Sequence, residues 1–440
     1  MRWKTDDYTG WGRVLEAKGD MARPEKMADL KAILKSRKGP AVGQLRSYGD
    51  VALNDGGAAI NLSRLNRLIG FDPKTGILKA EAGATIGEIA RVFSPKGWML
   101  PVMPGTGFVT LGGAIANDVH GKSHHIAGSF GQHIVAMDLM MANGRQKRLT
   151  PDSTPDLFRA TVGGLGQTGI ILTAEVQLIE GASEIVDVRE NRAEDLDAFL
   201  SMLANSAATY SVGWIDTTAR GASLGRGILE EGEFREYAKP LQSKKAKSIP
   251  RDAPAFLLSA PVVRVFNEIY YHRVPASGRR LDRTLQDFFF PLDRIHNWNR
   301  LYGKPGFHQF QCVLPDDSAE TGLRQMMDLI AASRLASPLA VLKRLGPGRG
   351  GMMSFPMSGY TLAIDFPNRT KTAGLLAELE AITLKAGGRI YFAKDALMRR
   401  ESVSQMYDEH ADFARITHEV DPDRVFETNL VRRLNLRGSK

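Results

Sequence analysis

Three glycine-bearing segments crowd the N-terminal part of this 440-residue chain: LRSYGD (45–50), PGTGFVTLGG (104–113) and GGLGQTG (163–169). Backbone without side chains lets peptide N–H groups come close to an anion, and it also adopts turns that other residues resist. Three such loops together point to a large, extended, phosphate-bearing ligand, and a dinucleotide with a diphosphate fits. The stretch 104–125 adds His120, His124 and His125 to five glycines. A metal site, a phosphate cradle and a plain tight turn are all readings of it.

Two patterns argue against themselves. Gly164, Gly166 and Gly169 keep GxGxxG spacing, but a Rossmann site needs strand, glycines and helix in that order. Here DLFRATVG reads as helix before the glycines, and a strand pattern follows them. His120 and His124 have HxxxH spacing, which on a helix could bind zinc. Gly121 follows His120 directly, HExxH is absent and no third ligand stands nearby. No metal is expected.

The length exceeds what one hydrophobic core fills, so two domains are expected. Hydrophobic residues at 43% and charged residues at 24% fit a soluble globular enzyme. The net charge of +9 admits nucleic acid, anionic lipid or phosphate-bearing ligands. The basic residues are mostly dispersed and no reader motif accompanies them, so no nucleic-acid partner is expected. The densest basic run is KPLQSKKAKSIPR (239–251). Cys312, the only cysteine, excludes an intramolecular disulfide and a thiolate zinc site. The least polar stretch, AFLLSAPVV (255–263), is far short of the ~20 residues that span a bilayer. The N-terminus has no apolar signal core, and a cytoplasmic location is expected.

Periodicity places the elements. Thr85 and Glu88 fit a capping box for a helix whose apolar face is Ile86, Ile89, Ala90 and Phe93. A strand is expected near 98–101, and TLGGAIAND (110–118) suits a short helix. GIILTAEVQLI (169–179) alternates, with Ile170, Leu172, Ala174, Val176 and Leu178 on one face. HQFQCVLP (308–315) and YTLAIDFP (360–367) also alternate, and GLLAELEAITLKAGG (374–388) is an amphipathic helix closed by glycine. The stretch 235–272, without strong periodicity, reads as a cover or surface loop. It combines Lys239, Lys244, Lys245, Lys247 and Arg251 with Phe256, Leu257, Leu258, Val262 and Val263.

The ordered set TGWGR, RSYGD, PVMPGT, GGAIANDVHGKSHHIAGSFG, TVGG, FHQFQ, SFPMSGY, GGRIYFAKD and DPDRVF…RRL resembles the vanillyl-alcohol-oxidase type of FAD-binding oxidoreductase. Within that type it is most similar to the decaprenylphosphoryl-β-D-ribose 2′-oxidase family, and the likeness runs from about residue 9 to residue 436. The resemblance implies an α+β fold in two domains. A discontinuous FAD domain would hold 1–181 and 389–440, and an antiparallel-sheet substrate domain 182–388. It implies noncovalent FAD, because RSYGD has no histidine to anchor it. It implies oxidation of the 2′-hydroxyl of a polyprenyl-phosphate pentose to a keto sugar, in cell-envelope arabinan precursor synthesis. An NAD(P)-dependent keto-sugar reductase would complete the epimerisation, and peripheral contact at the inner membrane face is expected. A soluble alditol, aldonolactone or glycoside oxidase on the same fold is the alternative, and a non-catalytic binding protein a third reading.

The same resemblance assigns residues. Lys394, His120 and Tyr48 are implied catalytic residues. Arg46, Ser47, Tyr48, Gly49, Asp50, Gly105, Thr110, Leu111, Gly112, Gly113, Asn117, His120, Ile171 and Tyr391 are implied FAD contacts. Gln309, Gln311, Lys343, Thr361, Ala363 and Lys394 are implied substrate contacts. Mycobacterial relatives carry Asn and Cys where this chain has Thr361 and Ala363, so the pocket wall differs there.

Overall fold

The computed structural model describes residues 3–235, 241, 245–335 and 338–438. Local signals translate directly into elements. Thr85 caps the helix Ile86–Phe93 by accepting from the Glu88 N–H, and Ile86, Ile89, Ala90 and Phe93 are its buried residues. Thr110 caps Leu111–Ala116 in the same way through the Gly113 N–H. The strand Ile170–Gln177 buries Ile170, Leu172, Ala174 and Val176. It is the centre of a five-stranded antiparallel sheet between Ile77–Glu81 and Ile134–Met140. A four-stranded sheet is built from Lys4–Thr9, Glu16–Ala22, Ala58–Asn61 and Ala41–Val42.

The largest sheet has eight antiparallel strands in the order Arg279–Thr284, Ile185–Ala193, Gly227–Phe234, Tyr210–Ile215, Ala340–Leu345, Gly359–Pro367, Phe307–Leu314 and Arg389–Ile390. Antiparallel strands bury one face against helices and leave the other free to line a site. One face packs on Asp316–Ser333, where Cys312 lies buried beside Met326. The register fixes what the other face presents. Gln311 stands opposite Ala363, Ala363 opposite Val341, and Val341 opposite Trp214. In the next row Thr361 stands opposite Lys343. A period of two puts each row's side chains on one face.

After Arg389–Ile390 the chain returns to the N-terminal part. The Asn429 N–H donates to the Leu53 carbonyl at 2.7 Å. Phe426 is buried with Leu30, Ile60, Met140 and Ile170. Arg433 donates to both oxygens of Asp50, at 2.9 and 3.0 Å, and to Asp395 at 2.8 Å. This ties the RSYGD loop to the segment that carries Lys394.

Within the stretch 235–272, the described residues 245–272 are not a plain loop. It contains the 13-residue helix Ala260–His272, and Lys247–Ser248 pairs in parallel with Ile295–His296. Apolar residues lie on both sides of this helix, which blurs the single-stripe period that betrays a helix in sequence. Lys239 and Lys244 lie outside the described residues.

Arg433→Ala will leave two carboxylates buried without their cation, since the side chains of Asp50 and Asp395 are 4% and 6% exposed. Burial already pushes the Asp50 carboxyl up, and Arg433 pulls it back down. Chemical denaturation is expected to show a loss of about 3 kcal/mol. A loss under about 0.5 kcal/mol, the range of ordinary surface substitutions, contradicts this role.

Candidate active site

A single cavity of about 1060 Å³ runs between the glycine loops and the free face of the eight-stranded sheet. Its N-terminal wall includes Arg46, Ser47, Tyr48, Gly105, Thr110, Gly112, Gly113, Asn117, His120 and Ile171. Gln309, Gln311, Lys343 and Ala363 face them from the sheet, and Tyr391 and Lys394 come from the returning segment. Sixteen of the twenty residues named from sequence therefore meet in one place. Gly49, Asp50, Leu111 and Thr361 stand behind the wall. Gly49 is needed for packing: a Cβ there would lie 1.7 Å from the Asp395 carbonyl oxygen. Asp50 holds Arg433, Leu111 is core, and Thr361 accepts from Gln311 Nε2 at 3.2 Å.

The close approach of two loops sets this wall of the cavity. The Tyr48 N–H donates to the Ala393 carbonyl at 2.9 Å, so Tyr48 and Lys394 lie side by side. Lys394 Nζ sits 3.8 Å from the Tyr48 ring centroid, a cation–π contact. Burial pushes the ammonium down to about 7, opposed by Asp365 and reinforced by Lys343. Asp365 is buried on the strand Gly359–Pro367. It accepts from Gln309 Nε2 at 2.5 Å and from the Tyr302 hydroxyl at 3.2 Å. Burial pushes its carboxyl up to about 7. Sequence reasoning passed over Asp365 because one acid in an alternating strand reads as a solvent-facing residue.

His120 is buried between Phe355 and Tyr391, each 5.4 Å away ring to ring. Gln311 Nε2, a donor only, lies 2.9 Å from His120 Nε2. The neutral ring therefore accepts there and carries its proton on Nδ1, which has no partner. Burial, then Lys343, holds its pKa well below the usual histidine range. Lys343 is pushed down to about 8 by burial alone. Among the described residues no carboxylate is in ion-pair distance of Lys122, Lys343 or Lys394. Lys122 lines the same cavity and donates to the Phe288 carbonyl at 2.5 Å.

His124 and His125 pair with backbone instead. His124 Nδ1 accepts from the Gly346 N–H at 3.2 Å, and His125 Nε2 meets the Ala208 carbonyl at 2.8 Å. Among the described residues no group of three His, Cys, Asp or Glu could hold a metal. One GxSxG spacing exists, GASLG (221–225), but Ser223 lies in the short turn Gly221–Ser223 rather than at a strand-to-helix elbow.

The cavity fits an extended polar ligand. Gly105 and Gly166 line it, and a Cβ on either would meet no protein atom within 4 Å, so that space faces the cavity. Arg46 Nε, Asn117 Oδ1 and His120 Nδ1 are buried there without partners. Arg46 stacks between Trp11 and Phe108, 4.2 and 4.4 Å from their centroids, which fixes a guanidinium at the cavity wall.

A family model described as FAD binding domain matches residues 21–150, and one described as D-arabinono-1,4-lactone oxidase matches residues 361–434. The chain is 35% identical to decaprenylphosphoryl-beta-D-ribose oxidase of Mycolicibacterium smegmatis over 98% of both chains. It is 34% identical to an uncharacterized protein of Streptomyces coelicolor, over 80% of this chain and all of that one. Human delta(24)-sterol reductase is 28% identical over 39% of this chain and 33% of its own. The cofactor is FAD, and the bare glycines and orphaned polar atoms fit it.

The pH profile of flavin reduction by substrate is expected to break near pH 7 and fall as Lys394 loses its proton. Asp365 is the charge that raises the lysine's pKa, so Asp365→Asn should move that break to lower pH. A break that stays in place contradicts the coupling.

Proposed function

The chain belongs to the decaprenylphosphoryl-β-D-ribose oxidase family of FAD-dependent oxidoreductases, and from that premise we propose that it oxidises the 2′-hydroxyl of a polyprenyl-phosphate pentose to a ketone. The observation that carries this reading is the donor set on the sheet face. Gln309 and Gln311 offer two amides to a hydroxylated sugar. Lys343 lies two strands and one row away from Gln311, roughly 12 Å, as an ammonium with no carboxylate within ion-pair distance among the described residues. A sugar bearing a phosphate supplies what this face lacks.

When bound, FAD would supply the acceptor for the hydride that leaves the carbinol carbon, and the hydroxyl proton would be lost to solvent. The protein's residues orient and polarise. Lys394 places a fixed cation where negative charge develops, held against the Tyr48 ring. Gln311 fixes the His120 ring at the cavity wall through Nε2. Asp365 holds the Gln309 amide, which leaves the Gln309 carbonyl oxygen free to accept from a sugar hydroxyl. Tyr391 closes the wall, its hydroxyl donating to the Asn117 carbonyl at 2.9 Å.

The same reading divides the chain into a discontinuous FAD domain, 1–181 with 389–440, and a substrate domain, 182–388. The returning helices, and the seven strands of the eight-stranded sheet drawn from 182–388, support that division. It also calls for a separate NAD(P)-dependent reductase to turn the keto sugar into its epimer, and for peripheral contact with a membrane. The lactone-oxidase likeness of residues 361–434 favours a second reading, oxidation of a water-soluble lactone or polyol.

Anaerobic bleaching of the flavin tests the choice. Prenyl-phosphate riboside is expected to reduce it in a single turnover, with free pentoses, alditols and aldonolactones at least about a hundredfold slower. Bleaching by a free aldonolactone or polyol at the faster rate would replace the first reading with the second.

A further inference from the structure

The helix Ala260–His272 has two apolar sides. Val263, Asn267 and Tyr271 are buried against the sheet, where Tyr271 packs with Ile228 and Val274. The other side is open. Val262, Val265, Phe266 and Ile269 are 39%, 60%, 47% and 68% exposed. Their i, i+3, i+4, i+7 spacing makes one stripe. Phe256 and Leu257, in the turn Ala255–Leu258, are 65% and 41% exposed and extend it. Single exposed apolar side chains are ordinary, but six within residues 256–269 form a patch.

The charge around this patch is one-sided. Lys245, Lys247, Arg251 and Arg264 are exposed, and among the described residues none is in an ion pair. The acids nearby are already paired: Glu268 with Arg226 at 2.5 Å, and Asp252 with Arg13 at 2.5 Å. Free cations beside an apolar stripe complement an anionic bilayer surface. The helix has 13 residues, and among the described residues no helix is long and apolar enough to cross a membrane.

The patch is continuous with the cavity. Trp214 and Tyr270 line the cavity, with ring centroids 4.7 Å apart. Tyr270 stacks on Phe266 at 5.8 Å and 19°. Phe266 belongs to the exposed stripe. Ile295, also a lining residue, is 39% exposed.

We propose that the helix Ala260–His272 and the turn before it seat on an anionic lipid bilayer, and that Trp214, Tyr270 and Phe266 form the apolar path from that bilayer into the cavity. The seating stands on the exposed stripe and its cations. The path rests on the reading that the substrate carries a lipid.

Co-sedimentation of the holoenzyme with vesicles tests the seating without substrate. The enzyme is expected to bind vesicles of equal parts phosphatidylcholine and phosphatidylglycerol, and to bind pure phosphatidylcholine at least tenfold more weakly. The variant Val262→Ser, Val265→Ser, Ile269→Ser changes only exposed side chains. It should keep its flavin spectrum and lose at least tenfold in vesicle binding. Its KM for a long-chain prenyl-phosphate riboside presented in vesicles should rise, with KM for a short-chain soluble analogue unchanged. Parent protein that ignores both vesicles, or a variant that binds as the parent does, overturns the proposal. So does a parent dimer that the variant converts to monomer, which would mean a second copy covers the stripe. Vesicle binding combined with bleaching only by free polyols would leave the seating intact and refute the substrate instead.

Discussion

The site is built around buried ammonium groups that, among the described residues, have no carboxylate within ion-pair distance. Lys343 has burial as the only influence on its ammonium, and Lys394 has an aromatic ring and a buried carboxylate held by two other donors. Taking a charge out of water costs several kcal/mol unless something else compensates. A fold keeps such groups where a ligand supplies the missing charge. A phosphate beside Lys343 and electron-rich reduced flavin beside Lys394 would each do so, which makes the cavity's electrostatic deficit a mould of what it binds.

Holding that deficit in place requires rigid walls, and the chain builds them by crossing its own length. The eight-stranded sheet fixes the spacing of Gln311, Ala363, Lys343 and Trp214 through its register. The opposite wall is locked by Arg433, whose guanidinium joins Asp50 to Asp395. Gly49 then allows the two loops to touch at backbone distance. Asp118 does similar work nearer His120, accepting from the N–H groups of Gly131 and Gly350. Positions are thus set by backbone contacts far apart in sequence, and the side chains facing the cavity are left free for ligand.

Local rules made much of this legible. The Thr85 and Thr110 caps, the alternation of Ile170–Gln177 and the pairing of Gln309 with Gln311 on one strand face all follow from periods and caps that residues carry individually. The glycine loops announced a polyphosphate ligand, although Gly49 proved to serve packing. Lys394 alone reads as a surface lysine, and only the ordered motifs placed it in the site. Asp365, Lys122 and the Arg433 clamp were out of reach, because a charged residue's burial depends on partners that no local pattern encodes. The exposed stripe of Ala260–His272 was hidden for a different reason: apolar residues on both sides of a helix erase its period.

The account turns on Lys394 as the fixed cation of the redox step. Its direct test is single-turnover reduction of the bound flavin in Lys394→Ala, mixed anaerobically with prenyl-phosphate riboside. The folded, flavin-containing variant is expected to reduce about a hundredfold more slowly than the parent, the usual loss when one preorganised charge contact is removed. Reduction at the parent rate would contradict the account.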